Sequence, residues 1–281
     1  MIIFKTANEL SNYLLDHKER GKKIGFVPTM GALHKGHISL VRQANTANNL
    51  CVCSIFINPT QFNNQNDFNF YPVTIEKDIE QLLENDCSVL FLPTLTEIYP
   101  KDYQAKHYEL GKIEQLLEGQ FRPGHFQGVC QVVDRLLEIV KPDNLYLGQK
   151  DYQQCMVVNR LLKITGRKKE VNLHIAPTVR EENGLAMSSR NMRLNDGQIN
   201  KAKTIAKILF TIKEKLPASE NIEALKMLAN KQLEAEGFLV DYIEIVNAQT
   251  LESTTNKKDP LIALVAASIN DVRLIDNLLL N

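Results

Sequence analysis

Apolar positions along the first two-thirds of the chain alternate between short continuous runs and longer helical repeats. Residues 24–27 and 50–57 form continuous apolar runs, which predict buried strands, whereas residues 37–45 repeat with helical spacing and predict an amphipathic helix. Strands alternating with helices in this way are typical of βαβ units and a parallel sheet. The same patterns predict strands at 88–92, 145–147 and 173–176, and helices at 74–85, 129–140 and 151–164.

The last third of the chain has a different pattern. Helical repeats at residues 199–216 and 222–236 are followed by strand-like runs at 239–246, 261–267 and 272–275. Helices followed by neighbouring strands indicate a separate α+β unit. We therefore predict an α/β fold, with a parallel-sheet domain at residues 1–180 and a smaller α+β domain at 181–281.

Composition and charge exclude several functional classes. The 33 Lys and Arg residues balance 33 Asp and Glu residues, which argues against a globally basic nucleic-acid-binding protein. Five scattered cysteines predict a reducing compartment without a disulfide framework or a zinc knuckle. No run approaches the roughly 20 apolar residues of a membrane span, and the first ten residues do not resemble a signal peptide. We expect a cytoplasmic protein without a membrane or nucleic-acid partner.

Polar clusters follow the predicted strands of the first domain at the point where each strand ends. They occupy residues 28–37, 58–62, 148–151 and 177–191. In an open parallel sheet, ligands bind outside the carboxyl ends of the strands. The clusters are therefore predicted to converge on one edge of the sheet and to form one binding site.

The cluster around His34, Gly36 and His37 is typical of a phosphate-binding turn. A helix that begins near His37 presents free backbone N–H groups and its positive dipole end, and Gly36 lets a ligand approach the backbone. Both imidazoles can donate hydrogen bonds to phosphate oxygens. The alternative is a pair of surface histidines beside a turn. A metal site has less support, because no other His or Cys is suitably spaced.

Two further clusters carry cations. Lys150 can reach a phosphate as a point charge, although Lys150 and Asp151 also fit an ordinary exposed helix start. Ser188, Ser189 and Arg190 can close over a triphosphate, and the alternative is a capping linker between domains.

A third group of polar residues is rich in amides. Gln61 lies near Asn58 and Tyr71, and this combination suits a small substrate with hydroxyl and carboxylate groups. The alternative is a turn that satisfies its own backbone. In the helix that follows residue 151, Gln154 is predicted to face the site and Gln153 the solvent.

Several motifs together resemble the pantothenate synthetases (pantoate–β-alanine ligases), a family within the nucleotidyltransferases that share a His-x-Gly-His motif. Their order and spacing match from about residue 24 to residue 194. The matching motifs are Pro28-Thr-Met-Gly-Ala-Leu-His-x-Gly-His37, Asn58-Pro-x-Gln-Phe62, Arg122-Pro-Gly-His-Phe-x-Gly-Val129, Gly148-Gln-Lys-Asp-Tyr-Gln-Gln154 and Met187-Ser-Ser-Arg-Asn191. The resemblance implies a Rossmann-like first domain, a C-terminal lid and a cytoplasmic homodimer.

The resemblance also implies a two-step reaction. The carboxylate of D-pantoate attacks the α-phosphate of ATP, which gives pantoyl adenylate and pyrophosphate. The amine of β-alanine then attacks the acyl carbon, and pantothenate and AMP are formed. Mg²⁺ is expected to bridge the phosphates, with Asp78 as a candidate ligand.

Site residues follow from the resemblance position by position. Those expected to bind ATP are Pro28, Thr29, Met30, Gly31, His34, Gly36, His37, Gly148, Lys150, Asp151, Val179, Met187, Ser188, Ser189 and Arg190. Those expected to take part in catalysis are His34, His37, Lys150, Ser188, Ser189 and Arg190. Those expected to bind pantoate are Asn58, Gln61, Tyr71, Val132, Val133 and Gln154.

The sequence departs from the family around residues 66–73. Relatives often carry more acidic residues there and a basic residue where this chain has Val73. Two rival functions remain: nucleotidyl transfer to a phosphate acceptor, and ATP sensing without catalysis. Amides such as Gln61 and Gln154 favour a hydroxy acid over a phosphate acceptor, and intact His34, His37 and Lys150 argue against a sensor.

Overall fold

The computed structural model describes residues 1–218 and 221–281, and these residues form two separate sheets. The larger sheet has six strands in the order β1-β4-β3-β2-β5-β6, and every neighbouring pair is parallel. The smaller sheet has three antiparallel strands in the order β7-β8-β9. The predicted α/β class with a second, smaller α+β part is therefore confirmed. The strands are β1 (Ile2–Phe4), β2 (Ile24–Thr29), β3 (Leu50–Ile55), β4 (Val89–Phe91), β5 (Asn144–Gly148), β6 (Asn172–Ala176), β7 (Leu239–Asn247), β8 (Leu261–Ile269) and β9 (Val272–Leu279).

Helices connect the parallel strands and then precede the small sheet. Short 3₁₀ helices occur at Pro59–Gln61, Gly111–Glu114, Gln149–Asp151, Arg167–Lys169 and Ser189–Arg193. The α-helices are α1 (Ala7–Glu19), α2 (Lys35–Ala47), α3 (Gln65–Asn69), α4 (Ile75–Glu84), α5 (Leu95–Ile98), α6 (Glu118–Phe121), α7 (His125–Val140), α8 (Tyr152–Ile164), α9 (Asp196–Lys215) and α10 (Ile222–Ala235). Within the described part of the chain, no helix is both long and apolar enough to cross a membrane.

The order of the strands places a crevice between β2 and β5. From β2 the chain adds β3 and β4 on one side, and it then returns to add β5 and β6 on the other. Because the connections leave β2 and β5 in opposite directions, the two loops at their carboxyl ends diverge and open a crevice between them. The residues that follow β2 and β5 are therefore the ones expected to contact a ligand.

Helices cover both faces of the parallel sheet, which explains why its strands are continuously apolar. On one face, Phe26 and Val52 pack with residues of α1, α7 and α8. On the other face, Val27, Cys51 and Cys53 pack with residues of α2 and α4. Since alternate side chains of one strand point to opposite faces, a strand covered on both faces needs apolar residues at every position.

The small sheet also has two covered faces. Its first face packs against α9 and α10. Its second face packs against the first part of the chain, where Leu117, Tyr152 and Met156 contact Tyr242 and Leu264. This contact brings β9 close to the carboxyl ends of β2 and β5. The division of the chain at residue 180 stays a prediction.

Every predicted strand and helix is present within a few residues, but three details differ. The predicted elements did not include β1 and α1, and β1 is only three residues long at the edge beside β4. Helix α2 begins at Lys35 rather than at His37. On α4, which was predicted as an amphipathic helix, the apolar Leu83 is 51% exposed, whereas the charged Asp78 is fully buried.

Candidate active site

One cleft contains most of the residues predicted for the site. It lies at the carboxyl ends of β2 and β5, and residues of β9 form its far side. Three predicted residues, Gly31, Asn58 and Asp78, do not line it. The predicted residues that do line it are Pro28, Thr29, Met30, His34, Gly36, His37, Gln61, Tyr71, Val132, Val133, Gly148, Lys150, Asp151, Gln154, Val179, Met187, Ser188, Ser189 and Arg190.

Two reciprocal hydrogen bonds at the start of α2 fix the tautomers of both histidines. His34 is the N-cap residue, and its Nδ1 accepts a hydrogen bond from the backbone N–H of Gly36 at 3.1 Å. The Nδ1 of His37 accepts from the backbone N–H of His34 at 3.4 Å, and the ring centroids are 4.0 Å apart. Because each Nδ1 is an acceptor, each neutral ring carries its proton on Nε2. Each ring therefore offers one N–H donor to the cleft.

Both histidines are neutral at neutral pH because the site disfavours their cations. Burial, together with His37 and Lys150, lowers the pKa of His34 to about 2. Burial also lowers the pKa of His37 to about 4, with Lys150 acting in the same direction and Asp151 opposing it. The pair therefore acts on a ligand through two Nε2–H donors, and the neighbouring cation that lowers both histidine pKa values is Lys150.

Gly36 is required by the cap itself. A Cβ atom at this position would lie 2.9 Å from Nδ1 and Cε1 of His34. A side chain there would push the His34 ring away from the backbone N–H that it caps. The sequence predicted close approach of a ligand to Gly36, and the structure adds this second reason for glycine.

Asp78 holds the loop between β2 and α2, and this corrects its predicted role as a magnesium ligand. Its Oδ2 accepts from the backbone N–H of Ala32 at 2.9 Å, and its Oδ1 accepts from that of Leu33 at 2.8 Å and from Thr74 Oγ1 at 3.0 Å. Both carboxylate oxygens are thus occupied in a fully buried position. Within the described residues, no group of three or more His, Cys, Asp or Glu side chains is arranged to hold a metal ion.

Gly31 also belongs to this loop rather than to the wall of the cleft. Its φ of +80° favours glycine, and a Cβ atom would lie 2.9 Å from Cγ2 of Ile55 and 3.1 Å from Oδ2 of Asp78. The next residue, Ala32, has a φ of +48°, which is uncommon for a residue with a side chain. The two Asp78 oxygens compensate for this backbone conformation by binding the amides that follow it.

Lys150 and Asp151 follow β5 in the 3₁₀ turn Gln149–Asp151. The Nζ atom of Lys150 lies 3.6 Å from Oδ1 of Asp151, and the exposed fractions of the two side chains are 16% and 47%. At this separation the ammonium group makes only a loose ion pair. It keeps N–H donors available to a ligand in the cleft.

The predicted triphosphate loop, residues 188–190, is anchored by hydrogen bonds to two other segments of the chain. Ser189 Oγ donates to the backbone carbonyl of Ala32 at 3.0 Å. Arg190 donates from Nε and a terminal nitrogen to the two oxygens of Asp67, at 3.0 and 2.7 Å. Arg193 donates to the same carboxylate at 3.2 Å. Although burial opposes it, this pairing lowers the pKa of Asp67. Arg190 therefore lines the cleft with a guanidinium that is already paired on one edge.

Gln61 is positioned by buried neighbours. Its Nε2 donates to Met30 Sδ at 2.9 Å, and its Oε1 accepts from Asn58 Nδ2 at 3.2 Å. Its backbone carbonyl accepts from Nδ1 of His125 at 2.7 Å. Asn58 itself is 1% exposed and also binds Gly128 O and the hydroxyl of Tyr99. Contrary to the prediction, Asn58 therefore lies behind Gln61 and orients it, without lining the cleft.

An apolar wall faces Gln61. Val132 and Val133 project from α7, Gln154 projects from the start of α8, and Tyr71 lies beside them in the lining. The Tyr71 ring packs edge-on against Phe62, with 5.7 Å between centroids. The arrangement pairs two carboxamides with branched apolar side chains, as a small branched hydroxy acid requires.

Sequence reasoning missed a buried ionic group at the edge of the cleft. Glu118 accepts two hydrogen bonds from Arg273, both at 2.8 Å, and one from Tyr242 at 2.8 Å. Although burial opposes it, Arg273 lowers the pKa of Glu118 to about 2. Glu118 and Arg273 are far apart in sequence, so no local spacing indicated the pair.

Gln153, predicted to face solvent, is 3% exposed and accepts from the backbone N–H of Glu118 at 3.0 Å.

A cleft at the switch point of an open parallel sheet, with imidazole donors and a lysine at a helix start, defines a nucleotide-binding α/β enzyme. The sequence model of the Pantoate-beta-alanine ligase family matches residues 2–279. The chain belongs to the pantoate–β-alanine ligase family, and it is an enzyme of that family.

Individual relatives agree with this assignment over the full length. The chain is 43% identical to the pantothenate synthetase of Cytophaga hutchinsonii, over 100% of this chain and 99% of the relative. The crystal structure of the Thermus thermophilus pantothenate synthetase matches with a TM-score of 0.93 and 37% identity, over 100% and 99% of the two chains. The Francisella tularensis ligase, solved in complex with "Beta-gamma ATP" and β-alanine, matches with a TM-score of 0.83 and 39% identity, over 99% and 97%.

The role of Asp78 can be tested by Asp78→Asn. The amide group would face a backbone N–H with one of its own N–H groups, so we expect a loss of about 2 kcal/mol in the free energy of unfolding. Urea denaturation in buffer with a chelator measures this loss without nucleotide or metal. The control Glu80→Gln changes an exposed residue of the same helix and should leave stability nearly unchanged. If Asp78→Asn has the same free energy of unfolding as the wild type in the presence of the chelator, the carboxylate does not stabilise the loop. That result would favour its role as a magnesium ligand.

The protonation of His37 predicts a pH effect on stability. The folded-state pKa of about 4 lies below the usual 6.5, so below pH 6.5 the unfolded chain binds a proton that the folded chain does not. The free energy of unfolding therefore falls as the pH decreases from about 6.5 to 4, and His37→Gln should reduce this fall. Urea denaturation across this pH range measures it, with the exposed His107→Gln as the control. If both variants follow the wild-type curve, the ring of His37 is not held in its neutral form by the fold.

Proposed function

We propose that the protein condenses D-pantoate with β-alanine in an ATP-dependent reaction that passes through pantoyl adenylate and releases pyrophosphate and AMP. The observation that carries the proposal is the position of the His34–His37 pair and Lys150 at the sheet edge, opposite Gln61 and its apolar wall. The ligands of the Francisella relative, "Beta-gamma ATP" and β-alanine, support ATP and β-alanine as substrates here.

The first step joins pantoate to the nucleotide. A carboxylate oxygen of pantoate forms a bond to the α-phosphorus, and the bond from that phosphorus to the bridging oxygen of pyrophosphate breaks. The electron pair leaves with pyrophosphate, so negative charge grows on the phosphate oxygens. The Nε2–H groups of His34 and His37 and the ammonium of Lys150 would stabilise that charge. Because the imidazoles are neutral, they stabilise the negative charge as hydrogen-bond donors and not as imidazolium cations.

The pantoate subsite orients the nucleophile. Gln61 and Gln154 would hold its hydroxyl and carboxylate groups, while Val132 and Val133 would contact its geminal methyl groups. Asn58 and His125 fix Gln61 from behind, so little conformational freedom is lost when the substrate binds. Held in line with the α-phosphorus, the carboxylate reacts as if in an intramolecular reaction.

The second step transfers the acyl group. The neutral amine of β-alanine bonds to the acyl carbon, and the bond from that carbon to the AMP oxygen breaks, with AMP as the leaving group. The nitrogen releases one proton to the solvent as the amide forms. The loop of Ser188, Ser189 and Arg190 would cover the phosphates, with the unpaired edge of Arg190 facing them. Mg²⁺ would bind through the phosphate oxygens, and we assign it no protein ligand.

The larger organisation follows the family. We propose a nucleotide- and pantoate-binding domain at residues 1–180, a lid domain at 181–281, a homodimer and a cytoplasmic location. The packing of β9 against the cleft supports the lid role of the second domain.

The proposal is tested by following pyrophosphate in rapid-mixing experiments. With ATP, Mg²⁺ and D-pantoate alone, we expect a burst of about one pyrophosphate per active site. Addition of β-alanine should convert the burst into steady turnover, with AMP and pantothenate formed in equal amounts. Product identity is read by mass spectrometry.

A subsite variant serves as the internal control. Gln61→Ala should raise the pantoate concentration needed for half-maximal burst by about tenfold or more, while the ATP dependence changes little. Pyrophosphate release that requires a phosphate acceptor, with a dinucleotide product, would instead assign a nucleotidyltransferase. ATP binding without pyrophosphate release under any of these conditions would assign a sensor.

A further inference from the structure

Two consecutive residues of β9 contact the segments that follow β5 and β6. Asn277 is 2% exposed, and its Nδ2 donates to the backbone carbonyls of Gln149 and Lys150, at 3.0 and 2.8 Å. Its Oδ1 accepts from Nε2 of Gln149 at 3.3 Å. All three contacts of this one carboxamide therefore go to the turn that carries Lys150.

Asp276 fixes the strand that presents Asn277. Its two oxygens accept from both terminal nitrogens of Arg180, at 2.6 and 3.1 Å. Arg180 also donates to the backbone carbonyls of Asn277 and Gly184, at 3.3 and 3.2 Å. Because Arg180 directly follows Val179 of the cleft lining, the segment after β6 is tied to the same point of β9.

We infer that Asn277 is a positioning residue for Lys150, through which the small antiparallel sheet sets the place of the ammonium group in the cleft. The inference rests on the proposed role of Lys150 in pyrophosphate departure. The turn Gln149–Asp151 is a three-residue 3₁₀ turn without a side-chain cap, and hydrogen bonds within 3₁₀ turns have poorer geometry than those of an α-helix. Asn277 donates to two of its carbonyls from the other sheet. A displacement of the turn moves the lysine away from the phosphates.

A substitution that keeps the shape of Asn277 but removes its N–H donors distinguishes a positioning role from a packing role. Aspartate has nearly the shape of asparagine, so Asn277→Asp keeps the volume of the side chain. It replaces the two N–H donors by an oxygen that faces two carbonyl oxygens, and it adds a negative charge near Lys150. A residue that only filled space would tolerate this change, whereas a donor to the Lys150 turn would not.

The test compares Asn277→Asp with Asn247→Asp in the same sheet. Asn247 uses only its Oδ1, which accepts from the backbone N–H groups of Gln249 and Thr250 at 2.8 and 3.2 Å, so the exchange preserves its role. In single-turnover experiments with ATP and pantoate, Asn277→Asp should form the adenylate about tenfold more slowly or worse. Its reaction of preformed pantoyl adenylate with β-alanine should stay within about twofold of wild type. Asn247→Asp should match wild type in both.

A second readout does not depend on the reaction. Hydrogen exchange of the backbone amides around residues 149–152 should become faster in Asn277→Asp than in Asn247→Asp. Wild-type adenylation and unchanged exchange in Asn277→Asp would overturn the inference. So would slowing of both half-reactions in proportion to a loss of folded protein. If wild type itself forms no adenylate, the proposed function fails, and the exchange rates still decide whether Asn277 positions the turn.

Discussion

The structure of the cleft depends on one buried carboxylate beneath one unusual loop. Between β2 and α2 the backbone passes through positive φ at Gly31 and Ala32, and Asp78 accepts hydrogen bonds from the backbone N–H groups of Ala32 and Leu33. This places His34 at the N-cap, where its ring closes the first turn of α2 and accepts the hydrogen bond that fixes its tautomer. A buried carboxylate with several hydrogen-bond donors is costly to disturb, so these contacts stabilise the conformation of the loop.

Burial keeps the two histidines neutral, so they contribute directional hydrogen bonds to a ligand and other side chains contribute the positive charge. His34 and His37 lose their charge to burial. The cationic groups that line the cleft are Lys150, Arg122 and Arg190, and Arg190 is already paired with Asp67. The small sheet contributes to the same site, because Asn277 binds the turn that carries Lys150. The two sheets therefore share one centre rather than dividing substrate binding and chemistry between them.

The sequence was sufficient for features that arise locally and insufficient for those that join distant segments. Continuous apolar runs identified strands covered on both faces, and the His34–His37 spacing located the start of α2 to within two residues. The roles of Asp78 and Asn58 were misjudged because polarity alone does not distinguish a ligand from a side chain that binds backbone. The contact of Arg190 with Asp67 and that of Asn277 with Lys150 join segments more than a hundred residues apart, so neither had a sequence signal.

The central claim is that the carboxylate of pantoate bonds to the α-phosphorus of ATP within this cleft. D-pantoate labelled with ¹⁸O in its carboxylate, turned over with ATP and β-alanine, tests that bond directly by mass spectrometry of the products. The account predicts that AMP gains one labelled oxygen and that pyrophosphate and orthophosphate gain none. Label in orthophosphate or pyrophosphate, with unlabelled AMP, would contradict it, because the carboxylate would then have attacked a different phosphorus.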